Sequence, residues 1–341
     1  MRVKPLLVAG IGLSLALAAR VYFRQKNTLA LEGKVVLITG SSRGLGLALA
    51  HEFGGQGARL VICARQPEPL ELARRQLEAR GIDVLALPCD IQDGEQIQRL
   101  VEQAIAHFGR IDVLVNNAGI ILVGPSATMT LSDYEACMNT MFWGTVRTTL
   151  AVLPHMRAQG SGRIVNITSI GGRVSVPHLL AYSSAKFAAL GFSEGLHAEL
   201  VKEGIFVTSV IPGLMRTGSH INAFVKGKRE QEYALFGLLA TLPLTSTSAA
   251  SAARQIVRAA RRGATELIIT PQAQVLSRFH GLWPGLTTSI LGLSDRALPR
   301  AGAAESESRT GRESRSHLST WLTGLGEPAA HAYNQYARHD L

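Results

Sequence analysis

The sequence predicts an α/β fold: a doubly wound parallel sheet of seven strands with helices on both faces. Short apolar runs alternate with amphipathic stretches throughout residues 33–271. The runs are apolar at nearly every position, as strands are when both faces of a parallel sheet are covered. Seven strand–helix units in one block favour crossovers that keep all strands parallel. This block is therefore interpreted as one domain.

Each predicted strand is a run of five or six residues. The strands are 34–39 (KVVLIT), 59–63 (RLVIC), 83–88 (DVLALP), 112–116 (DVLVN), 163–168 (RIVNIT), 206–211 (FVTSVI) and 266–270 (ELIIT). The intervening segments have apolar residues at helical spacing. They predict helices at 45–56, 69–80, 93–108, 131–158, 181–203 and 247–262.

The composition argues against two kinds of partner. The net charge is +10, but lysines and arginines are scattered and form no basic helix with interleaved aromatic residues, so no nucleic acid is expected. No group of His, Cys, Asp and Glu has metal-ligand spacing, so no metal site is expected. The three cysteines show no CxxC spacing and are interpreted as reduced thiols in a reducing compartment.

Residues 1–26 are interpreted as a transmembrane anchor and its basic flank. Residues 6–23 are almost entirely apolar, and a helix of this length spans about 27 Å, close to the hydrocarbon core of a membrane. More positive charges follow the run than precede it, which predicts a single-pass protein with its main domain in the cytoplasm. A signal peptide cleaved after the A-x-A pattern at 16–18 is the alternative.

The regular alternation stops after residue 271. Residues 272–300 mix leucines with Phe279, Trp283, Pro284 and Gly285, and are predicted to form one or two helices that lie on a membrane or cap a substrate site. Residues 301–341 are predicted to be a largely disordered tail, because their first part is small, polar and charged.

A glycine-rich turn joins the first strand to the first helix. It reads TGSSRGLG over residues 39–46, which is not the G-x-G-x-x-G spacing. Positions without a Cβ let the backbone approach a pyrophosphate, and the helix N-terminus supplies amide donors and a positive dipole end. The turn therefore predicts a dinucleotide site of the Rossmann type.

The end of the second strand predicts which dinucleotide binds. Ala64 stands where a carboxylate would accept hydrogen bonds from a ribose 2′-hydroxyl, and Arg65 follows it. Arg43, in the glycine turn, can converge with Arg65 on a 2′-phosphate. This pattern favours NADP(H) over NAD(H), although two solvated arginines would give the same sequence.

Tyr182 and Lys186 lie four residues apart in AYSSAKF and share one face of a predicted helix. An ammonium group beside a phenol favours its ionisation, and the ordinary tyrosine pKa near 10 is too high for acid–base work at neutral pH. Most Tyr-x-x-x-Lys pairs have only a structural role, so the interpretation depends on the other motifs.

Six motifs together resemble those of a classical short-chain dehydrogenase/reductase. They are TGSSRGLG, Asp90, NNAG at 116–119, Ser169 thirteen residues before Tyr182, Lys186, and PGLMRT at 212–217. The resemblance covers about residues 33–270, and the anchor is similar to that of membrane-bound members acting on lipophilic carbonyls. It implies a homodimer through helices 131–158 and 181–203.

The resemblance implies a role for each catalytic residue. Tyr182 is the general acid or base, and Ser169 donates a hydrogen bond to the same substrate oxygen. Lys186 binds the nicotinamide ribose and lowers the pKa of Tyr182. Asn116 braces the centre of the sheet.

The same resemblance implies which residues hold NADP(H). Asp90 binds the adenine, and Thr217 contacts the nicotinamide carboxamide. The full set of expected cofactor-binding residues is Gly40, Ser42, Arg43, Gly44, Leu45, Gly46, Arg65, Asp90, Asn117, Ala118, Gly119, Tyr182, Lys186, Pro212, Gly213 and Thr217.

One position departs from the family pattern. Family members usually carry an asparagine in the fourth large helix, which helps to hold a water that relays protons to the lysine. Three residues before Gly144 this chain has Met141, and Asn139 lies about 200° away around the helix. A thioether cannot hold such a water, so either another group or water supplies the proton, or turnover is low.

The sequence therefore supports two functions. The first is an NADP(H)-dependent oxidoreductase for a steroid, retinoid, sphingoid or acyl-chain carbonyl. Its apolar segment at 214–244 either closes over the substrate or packs onto its own core. The second is a weakly catalytic, cofactor-binding membrane sensor or scaffold, supported by Met141. An epimerase or dehydratase acting on nucleotide sugars is disfavoured by the glycine spacing.

Overall fold

The structure, a computed structural model, describes residues 28–300, 307–316 and 323–336. The anchor predicted for residues 1–26 lies outside these ranges. Within them, no helix combines the length and the apolar character needed to cross a membrane.

The central sheet has the seven strands that the sequence predicts. The strands of the described residues are, in chain order, β1 (Val35–Thr39), β2 (Arg59–Ala64), β3 (Val84–Pro88), β4 (Val113–Asn116), β5 (Leu122–Val123), β6 (Gly162–Ile167), β7 (Ile205–Pro212), β8 (Leu214–Arg216), β9 (Phe224–Val225), β10 (Ser246–Ser248), β11 (Glu266–Ile269) and β12 (Arg309–Thr310). Seven of them pair in parallel in the order β11-β7-β6-β4-β1-β2-β3.

This strand order creates a crevice at one edge of the sheet. The chain moves outward from β1 to β3 on one side and from β4 to β11 on the other, so the order reverses between β1 and β4. In open parallel sheets, ligands bind outside the carboxyl ends of the strands at such a reversal. The short strands β5, β8, β9, β10 and β12 lie outside the central sheet.

Helices cover both faces of the sheet. The helices of the described residues are α1 (Gly44–Gly54), α2 (Pro67–Glu78), α3 (Gly94–Phe108), α4 (Leu131–Met138), α5 (Gly144–Ala158), α6 (Leu180–Leu200), α7 (Arg229–Thr241), α8 (Ala249–Arg261), α9 (Pro271–Leu282), α10 (Pro284–Ser294) and α11 (Glu327–Ala332). The helix predicted over 131–158 is divided by a π-helical turn at Asn139–Trp143.

Strand β1 shows why the strands are apolar at consecutive positions. Val36 and Ile38 pack into the core on one face of the sheet, and Val35 and Leu37 pack into the core on the other. All four are fully buried, and burying such a side chain contributes roughly 1.5–3 kcal/mol. A sheet covered on both faces therefore cannot show the alternating pattern of a half-exposed sheet.

A buried polar network crosses the middle of the sheet. The amide nitrogen of Asn116 donates to Asn166 at 2.9 Å and to Thr149 at 3.0 Å. Asn166 in turn donates to the hydroxyl of Ser193 at 3.0 Å, which accepts from Ser209 at 2.7 Å. These contacts join β4, β6 and β7 to α5 and α6, and Asn116 has the bracing position predicted for it.

Residues 307–316 and 323–336, inside the tail predicted to be largely disordered, contain regular secondary structure. Strand β12 pairs with β9, and α11 belongs to a second ordered segment, 323–336. The tail is predicted to be disordered because a segment with few apolar residues cannot form a hydrophobic core of its own. These residues need no core of their own, because they dock onto the domain through polar contacts. Residues 272–300 fall mostly in two helices, α9 and α10.

We expect Asn166→Ala to lower the free energy of unfolding by about 2–4 kcal/mol, because it removes two buried hydrogen bonds, the one accepted from Asn116 and the one donated to Ser193. Urea unfolding followed by circular dichroism measures the change. Gln98→Ala is the matched control, since Gln98 is exposed and bonds only to Glu102 on the same helix. Equal effects of the two substitutions would contradict a stabilising network.

Candidate active site

The glycine turn places backbone that lacks side chains at the carboxyl end of β1. Gly40 and Gly44 have φ angles of 64° and 59°, which strain any residue with a Cβ. A Cβ on Gly40 would lie 2.7 Å from Cα of Ala118, and a Cβ on Gly46 would lie 2.2 Å from the Gly40 carbonyl oxygen. Since α1 begins at Gly44, the turn presents a helix N-terminus without intervening side chains, as a pyrophosphate requires.

The NNAG turn after β4 binds directly to the glycine turn. The backbone N–H groups of Asn117 and Ala118 donate to the Thr39 hydroxyl at 3.0 and 3.1 Å. The side-chain amide of Asn117 donates to the carbonyls of Thr39 and Gly40 at 3.0 and 2.9 Å. Asn117 and Ala118 therefore shape the crevice. Gly119 lies farther along, and a Cβ on it would be 3.8 Å from Nζ of Lys186.

Arg43 lies in a cluster of positive charge. Burial and the guanidinium groups of Arg65 and Arg312 lower the pKa of Arg43. Its Nη2 donates to Gln66 at 3.1 Å, whereas its buried Nη1 has no hydrogen-bond partner within the described ranges. Arg65 is close enough to affect the pKa of Arg43, and this donor set fits a phosphate.

The other expected cofactor residues lie at the ends of β1, β3 and β7. Asp90 follows β3, Pro212 ends β7 and Gly213 comes next. Ser42 and Leu45 are buried within the glycine turn. Thr217 is only 3% exposed. All of these positions face the same edge of the sheet, because parallel strands share the direction of their carboxyl ends.

The Ser169 hydroxyl lies close enough to the Tyr182 hydroxyl for an interaction that lowers the pKa of the phenol. The Ser169 hydroxyl also accepts the N–H of Gly171 at 3.0 Å, which orients it. Burial raises the pKa of Tyr182, and the interaction with Ser169 opposes that effect. The phenol is therefore protonated at neutral pH and can act as a proton donor.

The pKa of Tyr182 lies above its ordinary value although Lys186 is nearby. Nζ of Lys186 lies 5.8 Å from the centre of the Tyr182 ring, but it donates to the Ile167 carbonyl at 2.7 Å. Burial lowers the pKa of Lys186 itself to about 8. Burial disfavours both the tyrosinate form of Tyr182 and the ammonium form of Lys186, and it is the largest influence on the pKa of each group.

Met141 lies near Lys186, across the backbone of Gly119. A Cβ on Gly119 would be 3.6 Å from Sδ of Met141 and 3.8 Å from Nζ of Lys186. Met141 is buried, and it lies in the π-helical turn between α4 and α5. Its carbonyl accepts the Thr145 hydroxyl at 2.9 Å. Such π-helical turns are frequent at functional sites.

Sequence reasoning missed several residues around the site. His178 has a φ of 62°, and its Nδ1 lies 2.7 Å from a carboxylate oxygen of Glu232 in α7. Burial, reinforced by Asp295, raises the pKa of Glu232 to about 7. Arg312, beside Arg43, was also missed. No sequence signal could have found these pairs, because the partners are far apart in the chain and belong to no shared motif.

An open parallel sheet with a glycine turn at its reversal point and a Ser–Tyr–Lys group beside it defines a nicotinamide-dependent oxidoreductase. A family model described as short chain dehydrogenase matches residues 34–226. The chain belongs to this short-chain dehydrogenase family.

Related proteins extend over most of the chain. A dehydrogenase/reductase SDR family protein 7-like from Anopheles gambiae is 34% identical over 274 residues, covering 79% of this chain and 84% of that protein. Ketoacyl reductase HetN from Nostoc is 33% identical, covering 70% and 79%. The crystal structure of L-sorbose reductase from Gluconobacter frateurii complexed with NADPH and L-sorbose has a TM-score of 0.63, at 28% identity, covering 70% and 95%.

We expect Lys186 to make the protein more stable as the pH rises from about 8 to 10.5. Its folded pKa of about 8 lies below the unfolded value near 10.4, so the unfolded state binds more protons in this window and stability increases with pH. Lys186→Met removes this titrating group, and it should reduce the rise in the free energy of unfolding by on the order of 3 kcal/mol.

Urea unfolding at pH 7 and pH 10.5 measures this difference. Lys202→Met, at an exposed position, is the matched control and should leave the rise unchanged. The same pH dependence in both variants would show that the buried amine does not titrate as described.

Proposed function

We propose that the protein is an NADP(H)-dependent oxidoreductase that transfers hydride between nicotinamide and the carbonyl or secondary alcohol of a lipophilic substrate. The observation that carries this proposal is the hydroxyl pair of Ser169 and Tyr182 beside the buried amine of Lys186. A protonated phenol that is oriented by a neighbouring hydroxyl is suited to general acid catalysis at a carbonyl oxygen.

The chain's own groups supply binding, orientation and the proton. Tyr182 donates its phenolic proton to the carbonyl oxygen during reduction, and the tyrosinate accepts a proton during oxidation. Because the Ser169 hydroxyl accepts the Gly171 N–H through a lone pair, its own proton is left for donation to the same oxygen. Lys186, held by the Ile167 carbonyl, is expected to bind the nicotinamide ribose. When bound, the nicotinamide supplies or accepts the hydride.

The arginine cluster supports NADP(H) as the preferred cofactor. Nη1 of Arg43 is a buried donor without a partner in the described part of the chain, and Arg65 is close enough to affect its pKa. A 2′-phosphate would satisfy that donor and offset the mutual repulsion. The related L-sorbose reductase was solved with NADPH.

The surroundings of Tyr182 support a lipophilic substrate. Tyr182 packs against a cluster of buried apolar residues, namely Leu122, Cys137, Met141, Ala181 and Ala185. An apolar wall beside the acid favours substrates whose carbonyl is attached to hydrocarbon. A relative named ketoacyl reductase is consistent with an acyl-chain carbonyl.

We also propose that the protein binds a membrane and a second copy of its own chain. The membrane proposal depends on the apolar run at 6–23. It is supported by exposed apolar residues of α9, of α10 and of the junction between them, including Val275, Leu282, Trp283, Leu286 and Ile290. The homodimer is supported by exposed apolar residues on α4 to α6, namely Leu131, Trp143, Leu150, Leu180 and Phe187. Exposed apolar patches of this kind mark interaction surfaces.

A second candidate function is a weakly catalytic, cofactor-binding sensor or scaffold. The observation that favours it is Met141, an apolar side chain near Lys186 where the family usually has an amide. The sensor proposal expects NADP(H) binding with negligible turnover on every carbonyl. The oxidoreductase proposal expects turnover that depends on Tyr182.

We expect Tyr182→Phe to lower kcat at least 100-fold while leaving the Kd for NADPH within about threefold, because the acid is lost but the ring remains. NADPH oxidation at 340 nm is measured over steroids, retinoids, sphingoid ketones and acyl carbonyls. Tyr134→Phe, which packs against the same apolar cluster, is the control. Wild-type rates in Tyr182→Phe would reject Tyr182 as the acid, and absent wild-type turnover would favour the sensor.

We expect Arg65→Ala to weaken NADPH binding about tenfold or more and to leave NADH binding nearly unchanged, because only NADPH carries the 2′-phosphate. Titration of cofactor fluorescence measures both dissociation constants. The control is Arg75→Ala, an exposed arginine paired with Glu71 on α2. A parallel loss for both cofactors would argue against a 2′-phosphate contact.

A further inference from the structure

The C-terminal arm, residues 323–336, lies on the residues expected to bind the cofactor. The backbone N–H of Gly44 donates to the Tyr333 carbonyl at 2.8 Å. The side-chain amide of Asn334 donates to the Ser42 carbonyl at 3.3 Å. Two consecutive residues of the arm therefore contact the glycine turn itself.

The arm also covers the opposite side of the crevice. The side-chain amide of Gln335 donates to the Thr217 carbonyl at 2.9 Å. Gln335 is 2% exposed, and a Cβ added to Gly44 would lie 2.8 Å from its Nε2. The arm thus bridges Gly44 and Thr217, the positions expected to bind the pyrophosphate and the nicotinamide carboxamide.

These contacts use the chemistry that a dinucleotide would use. The first N–H groups of a helix have no partner within the helix and bind phosphate oxygens. The Tyr333 carbonyl oxygen accepts from the first residue of α1 in the manner of a phosphate oxygen. The Gly44 N–H cannot donate at full strength to the Tyr333 carbonyl and to a pyrophosphate oxygen at the same time. The arm and the pyrophosphate therefore compete for this donor.

The arm is anchored mainly by polar contacts. Asn222 donates to the carbonyl and to the side-chain oxygen of Gln335 at 3.0 and 2.7 Å. Arg315, outside the arm, bonds to the carboxylate of Glu327, which also bonds to Tyr336 within the arm. Among the described arm residues, Ala330 is the only buried hydrophobic one. Apart from Ala330 and Tyr333, which is partly buried against the apolar core, the contacts of the arm are mostly polar and can exchange with water and ligands.

We propose that the C-terminal arm is an internal competitor of NADP(H), which must leave the crevice before the cofactor binds. This inference depends on the proposed function only for the identity of the cofactor. The apparent affinity for NADP(H) is then reduced by the fraction of molecules whose arm is released. Any partner or surface that holds the arm away from the crevice would activate the protein.

The first test measures NADPH binding to the full chain and to Gln335→Ala by titration of cofactor fluorescence. The substitution removes the arm's side-chain contacts with Thr217 and Asn222 and should tighten NADPH binding about tenfold. Leu325→Ala, at an exposed position of the same arm, is the matched control and should bind like the wild type. Unchanged or weaker binding by Gln335→Ala would overturn the proposal.

The second test measures hydrogen–deuterium exchange of the wild-type arm with and without saturating NADPH. Release from the crevice should speed exchange of the amides in 323–336. Slower exchange would show that the arm closes over bound cofactor as a lid, and unchanged exchange would show that it does not move; either result rejects competition.

The two proposals fail in different ways. If the protein reduces carbonyls with NADPH but Gln335→Ala binds NADPH like the wild type, the arm is not a competitor and the proposed function stands. If NADPH binding tightens in Gln335→Ala but no carbonyl is reduced, the competitor stands and the oxidoreductase proposal fails. Absence of NADPH binding by both proteins rejects both.

Discussion

The contact between the glycine turn and the NNAG turn is the constraint on which the site depends. Gly40 and Ala118 approach so closely that a Cβ on Gly40 would overlap the neighbouring backbone. The Thr39 hydroxyl and the Asn117 amide then fasten the two turns together with four hydrogen bonds. Because these turns follow adjacent strands at the reversal of strand order, their contact defines the floor of the crevice.

Ser169, Tyr182 and Lys186 lie beyond this floor, next to the buried polar network of the sheet. Asn116 and Asn166 hold β4 and β6 in register beneath Asn117 and Ser169. Because Tyr182 and Lys186 are enclosed, their pKa values are shifted from the ordinary ones. Burial raises the pKa of Tyr182 and lowers that of Lys186, so both groups are biased toward their neutral forms. A binding partner with hydroxyl groups near Lys186 would change this balance.

Strand and helix positions were predictable because their signals are local. Each strand of the central sheet ends within one residue of its predicted bounds, since a run such as VVLIT must be buried on both faces. The break at Asn139–Trp143 was not predictable, because a π-helical turn inserts a residue without altering helical composition. The ordered arm was not predictable either, because its stability comes from long-range polar partners such as Asn222 and Thr217.

The sequence by itself determined the parallel sheet, the family, and the identity of the residues expected to bind cofactor and move protons. These features depend on spacing along the chain and on residue type. Only the tertiary structure decided the pKa directions of Tyr182 and Lys186, the contact of Met141 with the lysine region, and the docking of Tyr333 and Gln335 in the crevice. Desolvation and long-range hydrogen bonds depend on what surrounds a group in space, and a linear pattern does not contain that information.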